Sequence, residues 1–139
     1  DTQDGSKIVV GIPQDFDSLD PHLANASGTE EVMFNVFTGL ITPSPDGELV
    51  ASLAERWEVN EDSSSFTFFL REGILFHDGS DFTSADVKYT YDRMCGKIEG
   101  EEDAARSVFA DVITDVEIID DYTVTINLNQ SNARFLSNM

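Results

Sequence analysis

The chain has 139 residues, a length typical of one domain, and 40% of them are hydrophobic with ten Phe, enough apolar volume for one packed core. Lys and Arg total 8 against 27 Asp and Glu, a formal net charge of -19, so phosphate backbones and anionic headgroups are repelled and nucleic acid and acidic lipid are poor partners. Cys95 is the single cysteine, which excludes an internal disulfide and a cysteine zinc cage, and no apolar run approaches the roughly 20 residues of a membrane-spanning helix.

The polar lead "DTQDGSK" begins without Met, as expected where a signal segment has been removed, by processing or by the choice of the expressed segment. "KIVVGIP" at residues 7–13 is a β-branched run closed by Gly and Pro and reads as a buried strand. "QDFDSLDPHLANASG" has turn chemistry throughout. Thr29 is then expected to cap a helix whose apolar face is Val32, Phe34, Val36, Phe37 and Leu40, with Gly39 ending it.

"ITPSPDGELVAS" reads as a turn-rich connection. "LAERWEVNEDSSSFTFFLREG" reads as a hairpin: Trp57 and Val59 alternate with charged residues, and Phe66, Phe68 and Leu70 share a face. "FTSADVKYTYDRM" is the clearest helix, with Thr83 or Ser84 as N-cap, Asp86 in the first turn and Val87, Tyr91 and Met94 at helical spacing. "DAARSVFADV" is a weaker helix. "VITDVEIIDDYTVTINL" gives two strands across Asp120 and Asp121, with Val116, Ile118, Val124, Ile126 and Leu128 as the apolar set. Asn132 is placed to cap a last helix carrying Phe135 and Leu136, cut short at Met139.

The chemistry-bearing residues resolve mostly into turns. His77 and Asp78 are neighbours in sequence and so do not present converging side chains, and Gly79 after them points to a turn before the capped helix. His22 has no HxxxH or HExxH partner, and Asp15, Asp17 and Asp20 lack the Gly and distal Glu of a calcium loop. Cys95 reads as a half-buried, inert thiol. No phosphate-cradling glycine loop occurs. The residues describe an α/β module without visible catalysis.

The order of these segments resembles the family 5 extracellular solute-binding proteins, the oligopeptide, dipeptide and nickel receptors of ABC importers. "LAERWEVNEDSSSFTFFLREGILFHDGSDFTSADVKYTYDRM" at residues 53–94 is similar to the family's LAxxW, acidic turn, tFxLRxGxxFhdG and tAxDVxyt. Residues 18–41, "SLDPHLANASGTEEVMFNVFTGLI", resemble its LDP loop and following helix, and residues 120–136, "DDYTVTINLNQSNARFL", add a third match.

The resemblance implies a mixed α/β fragment of the periplasmic-binding-protein-like II fold. Residues 1–42 would be the start of the first lobe, 43–130 the family's inserted mixed α/β subdomain, and 131–139 a truncated helix returning to the first lobe. It implies an extracytoplasmic receptor, periplasmic or at the cell surface, with lipid anchoring of the full-length protein open. That receptor captures di- or oligopeptides and passes them to a membrane permease; it is not an enzyme and needs no cofactor or resident metal.

Ligand contact is expected at the loop after LDPH, at Asn25, Ala26 and Ser27, with Gly28 beside them, where backbone groups would pair with an extended peptide as an added strand does. Some peptide-binding relatives carry an acidic residue where this chain has Asn25. "FHDG" would be framework away from the ligand. Alternatives are a nickel chelate, heme or other small solute, or a signalling or adhesion receptor. A fragment alone is expected to bind solute negligibly and to cover exposed apolar surface by self-association.

Overall fold

Two β-hairpins form the main sheet of the chain, whose computed structural model describes residues 9–12, 15–24, 26–104 and 106–139. The chain divides into two units, Asp1–Phe37 and Thr38–Met139.

In the second unit, β3 (Ala54–Val59) pairs antiparallel with β4 (Ser65–Leu70), as the alternation predicts. Asn60 closes the turn, its Oδ1 accepting from the N–H groups of Ser64 at 2.9 Å and Ser65 at 3.0 Å. β5 (Ile113–Asp120) and β6 (Thr123–Leu128) form the second hairpin, and the four strands lie in the order β3-β4-β6-β5. Phe66, Phe68, Leu70, Val124, Ile126 and Leu128 are buried at every second position of the two central strands. Each large side chain buried there contributes about 1.5–3 kcal/mol relative to exposure. On the other face Thr67 bonds across strands to Thr125 at 2.9 Å and Ser65 to Asn127 at 3.0 Å, and Phe69 carries the Arg56 guanidinium on its ring.

β5 departs from the expected alternation. Its register shifts between Ile113 and Asp115 and again between Ile118 and Asp120, and the first shift puts Ile113 and Val116, three residues apart, on the same buried face. Ile118 pairs with Val124 in the same register as Val116 with Ile126, so it keeps that face but is exposed near the end of the strand.

α2 (Ser84–Met94) packs on the sheet through Val87 and Tyr91. Thr83 is its N-cap, and the Asp86 carboxylate accepts from the Thr83 N–H at 2.8 Å and hydroxyl at 3.1 Å. Ser84 ties the helix start to the β5–β6 turn, donating from N–H to Asp121 C=O at 2.8 Å and from Oγ to Asp120 C=O at 2.6 Å. Asp86→Ala should cost about 1 kcal/mol, the usual loss of a helix cap, read as a lower urea midpoint at unchanged slope. A midpoint identical to the parent's would show that Ser84 alone holds the helix start.

Residues 41–52, expected as a connection, contain a second small sheet: β1 (Ile41–Pro43) pairs antiparallel with β2 (Leu49–Ala51). Gly47, at φ 82, turns the chain between them, a conformation in which a Cβ is strained. The weak helix of residues 103–112 is a 3-10 turn, Glu102–Ala104, followed by α3 (Ser107–Ala110), which buries Phe109. The last helix is a 3-10 turn, Phe135–Asn138, with Phe135 buried and the Asn132 side chain accepting from Arg134 N–H at 3.1 Å.

The first unit carries α1 (Ser27–Val36), which starts two residues before Thr29 and ends at its C-cap Phe37, ahead of Gly39. Of its expected apolar face, Phe34 is 82% exposed and Val36 and Phe37 are exposed too, Val32 is half-buried, and Leu40 lies past the helix and is buried. The strand expected at residues 7–13 is not formed over residues 9–12, where Val9 and Val10 are exposed. The pairing partner that a buried strand needs is not supplied by either sheet, both of which are built from residues 41–128. Lys7, Ile8 and Pro13 lie outside the described residues.

Candidate functional site

The loop expected to meet a ligand is held at its base by one carboxylate. Asp17 Oδ1 accepts from the Thr29 hydroxyl at 2.7 Å, Oδ2 accepts from Ala26 N–H at 2.9 Å, and Asp17 N–H donates back to Thr29 Oγ1 at 3.3 Å. Between these anchors Ser18 Oγ accepts from Asp20 N–H at 3.0 Å and Asp20 Oδ1 from His22 N–H at 2.8 Å. The Asp20 carbonyl then accepts from Leu23 and Ala24 at 3.1 and 3.0 Å. Pro21 suits the first corner of such a turn because its ring presets φ.

Thr29 is therefore not the N-cap; that position is Ala26, whose side chain makes no capping bond. Asp17, nine residues earlier, holds the N–H of that N-cap residue, and the Thr29 side chain is buried at 0% exposure with its hydroxyl on the same carboxylate. Ala26 and Ser27 come together at the helix start, Ala26 half-buried and Ser27 exposed, while Asn25 lies outside the described residues. Ala26 N–H is committed to Asp17, and its C=O accepts Thr29 N–H at 2.9 Å. The Asp17 charge also offsets the positive end of the α1 dipole, so this helix start does not attract an anionic group as an uncapped one would. Asp17→Ala should release the loop by about 1 kcal/mol, seen as faster amide exchange at Ala26 and Thr29; unchanged exchange would show that Thr29 burial alone fixes it.

The Phe-His-Asp-Gly run is a turn. Gly79 sits at φ 88, Phe76 C=O accepts Gly79 N–H at 2.9 Å, and Phe76 N–H donates to Ser80 C=O at 2.8 Å. Asp78 Oδ1 accepts from Ser80 N–H at 2.9 Å and Ser80 Oγ at 2.7 Å. The backbone bond from Ser80, then its hydroxyl, hold the Asp78 carboxyl below its ordinary 3.8. A depressed folded value means that the turn's contribution is present above pH 3.8 and is lost as pH falls through the lower folded value. A carboxyl titration followed by NMR should place Asp78 below 3.8, and Ser80→Ala should move it back toward 3.8. A titration that Ser80→Ala does not move would contradict this cause. His77→Ala should leave folding unchanged. Cys95 is half-buried, and burial raises its thiol above the ordinary value, which keeps it protonated and unreactive.

A depression of 440 Å³ in the second unit was not foreseen from the sequence. The β3 bulge brings Glu55 to it, the end of β4 brings Phe69, Leu70 and Glu72, and the β5–β6 turn brings Asp120 to Thr123. The carboxylates come from three distant stretches with no common motif, so no sequence signal gathers them. They do not converge: among the described residues no three His, Cys, Asp or Glu side chains close on a point that could hold a metal ion. Among the described residues no helix is long and apolar enough to cross a membrane.

Residues 48–139 match the profile of the bacterial extracellular solute-binding proteins, family 5 middle. The glutathione-binding protein GsiB of Pectobacterium atrosepticum is 32% identical over 131 residues, 94% of this chain and 25% of that protein. The chain thus spans about a quarter of the length of the curated relatives it matches. The ABC transporter-associated periplasmic binding protein DppA from Helicobacter pylori, in complex with peptide STSA, superposes with a TM-score of 0.80 at 27% identity, covering 89% of this chain and 27% of that one. NikZ from Campylobacter jejuni, in complex with Ni(L-His), superposes with a TM-score of 0.64 at 29% identity, over 73% of this chain and 20% of that one.

Proposed function

We propose, from the premise that this chain belongs to the family 5 bacterial extracellular solute-binding proteins, that it is part of an ABC-importer receptor capturing a short peptide outside the cytoplasmic membrane. Such a receptor hands its solute unchanged to a membrane permease and performs no reaction on it. What supports the peptide reading is the likeness to DppA in complex with peptide STSA, with a TM-score of 0.80 over 89% of the chain. The likeness to a glutathione-binding protein adds a second peptide-sized ligand.

In this reading residues 1–42 belong to the first lobe, 43–130 form the inserted subdomain, and 131–139 begin the return to the first lobe. Asn25, Ala26 and Ser27 face the solute. Because Ala26 N–H is spent on Asp17, the loop acts as a pre-ordered wall whose conformation is fixed before the ligand arrives, which lowers the entropic cost of binding. The acidic surface suits a secreted, soluble receptor and disfavours nucleic acid.

Thermal unfolding of a protein of the relatives' full length carrying this segment tests the ligand class, against pools of di- to pentapeptides and, separately, nickel with histidine. At a hundred times its dissociation constant a ligand adds about 2.7 kcal/mol. Stabilisation by peptides alone is expected; stabilisation only by nickel with histidine would replace the peptide reading with the metal-chelate one that the NikZ likeness favours.

A further inference from the structure

β5 is an outer strand of the four-stranded sheet and runs for eight residues. A free edge of that length offers its unpaired N–H and C=O groups as a template for another strand, and exposed Ile118 and Ile119 would make the pairing stick. Two of its carbonyls are nevertheless occupied. Lys88, on α2, donates from Nζ to Val116 C=O at 2.9 Å, and Lys97, just past the helix, donates to Thr114 C=O at 3.0 Å. Asp92 holds both ammonium groups in place, with Oδ2 3.0 Å from Lys88 Nζ and Oδ1 3.8 Å from Lys97 Nζ. The sequence has three lysines, and two of them stand here.

We propose that Lys88 and Lys97, positioned by Asp92, close the β5 edge to strand addition by a second copy of this chain. A two-fold antiparallel β5–β5 pair would need the carbonyls of residues 114 and 116 for its ladder. It would also bring the lysines of both copies together, and charged lysines on an edge are a known defence against pairing. General charge repulsion points the other way. Removing both lysines makes an already acidic chain more acidic by two charges, so net charge alone predicts weaker self-association; loss of the guard predicts stronger.

The test is sedimentation of the 139-residue chain and of Lys88→Ala/Lys97→Ala across a hundredfold concentration range, with amide exchange followed at residues 113–120. The expected result is a concentration-dependent rise in mass in the variant beyond any that the parent chain shows, with at least tenfold slower exchange along that segment than in the parent. Lys88→Arg/Lys97→Arg should behave as the parent, and Asp92→Asn, which keeps both lysines but frees them, should fall between. If the double variant does not fold, Lys97→Ala alone decides, because residue 97 lies outside α2. A folded variant with the parent's mass and the parent's exchange at 113–120 overturns the proposal.

Discussion

Phe68→Ala is expected to lower the unfolding free energy of the Thr38–Met139 unit by about 3–5 kcal/mol, a large part of the 5–15 kcal/mol a small domain has. Phe68 is completely buried, opposite Trp57 on β3 and Val124 on β6. Backbone ladders flank it on both sides, so neither neighbour can move in to fill the space, and the cavity term adds to the lost transfer energy. The adjacent Phe69 makes the control. It lies on the other face, half-buried, with the Arg56 guanidinium 3.3 Å from its ring centre, and Arg56 also pairs with Glu58. A partly exposed cation–π contact is worth about 0.5–1 kcal/mol, so Phe69→Ala should cost far less than Phe68→Ala. Urea unfolding followed by circular dichroism separates the two; equal costs would mean that the sheet does not bury one face as described.

Phe135→Ala should cost about 3 kcal/mol or more for a different reason. Its ring lies 5.0 Å from Phe66 and 6.3 Å from Phe109, and Phe109 in turn lies 5.8 Å from Tyr91. That chain of rings joins the last turn, α3 and α2 to the sheet, and offset or edge contacts of this kind add about 0.5–1.5 kcal/mol beyond the area they bury. The neighbouring Leu136 is only partly buried against the same core, and its truncation should cost less. A Phe135→Ala protein with unchanged stability would show that residues 131–139 pack elsewhere than on this unit.

The parts of the fold legible in the sequence are those whose information is local. β6 alternates without interruption and β4 alternates up to Phe68, and Asp86 three residues after Thr83 marks the start of α2 within one turn. The turn reading of His77 and Asp78 rested on Gly79 and is matched by the bonds Asp78 makes to Ser80. β1 and β2 were not legible because three-residue strands are too short to show a period, and a proline, here Pro43, is disfavoured within a sheet. The burial of both Ile113 and Val116, three residues apart, depended on a register shift that only pairing with β6 defines.

At the candidate site the turn chemistry of the loop was readable, and the control of it was not. Thr29 looks like a cap by residue type, yet its hydroxyl is bonded to Asp17, a contact across twelve residues that no short motif encodes. The family resemblance of residues 53–94 falls within the matched stretch of residues 48–139. The lysine guard on β5 has no sequence signature at all, since Lys88 and Lys97 reach residues 28 and 17 positions away.

The measurement that bears most directly on peptide capture is equilibrium dialysis of short peptides, glutathione among them, against a protein of the relatives' full length carrying this segment, followed by mass analysis of both compartments. Capture without chemistry predicts that at least one peptide is retained on the protein side in stoichiometric amount and is recovered intact. Equal distribution of every peptide, or recovery of cleaved products, would contradict it.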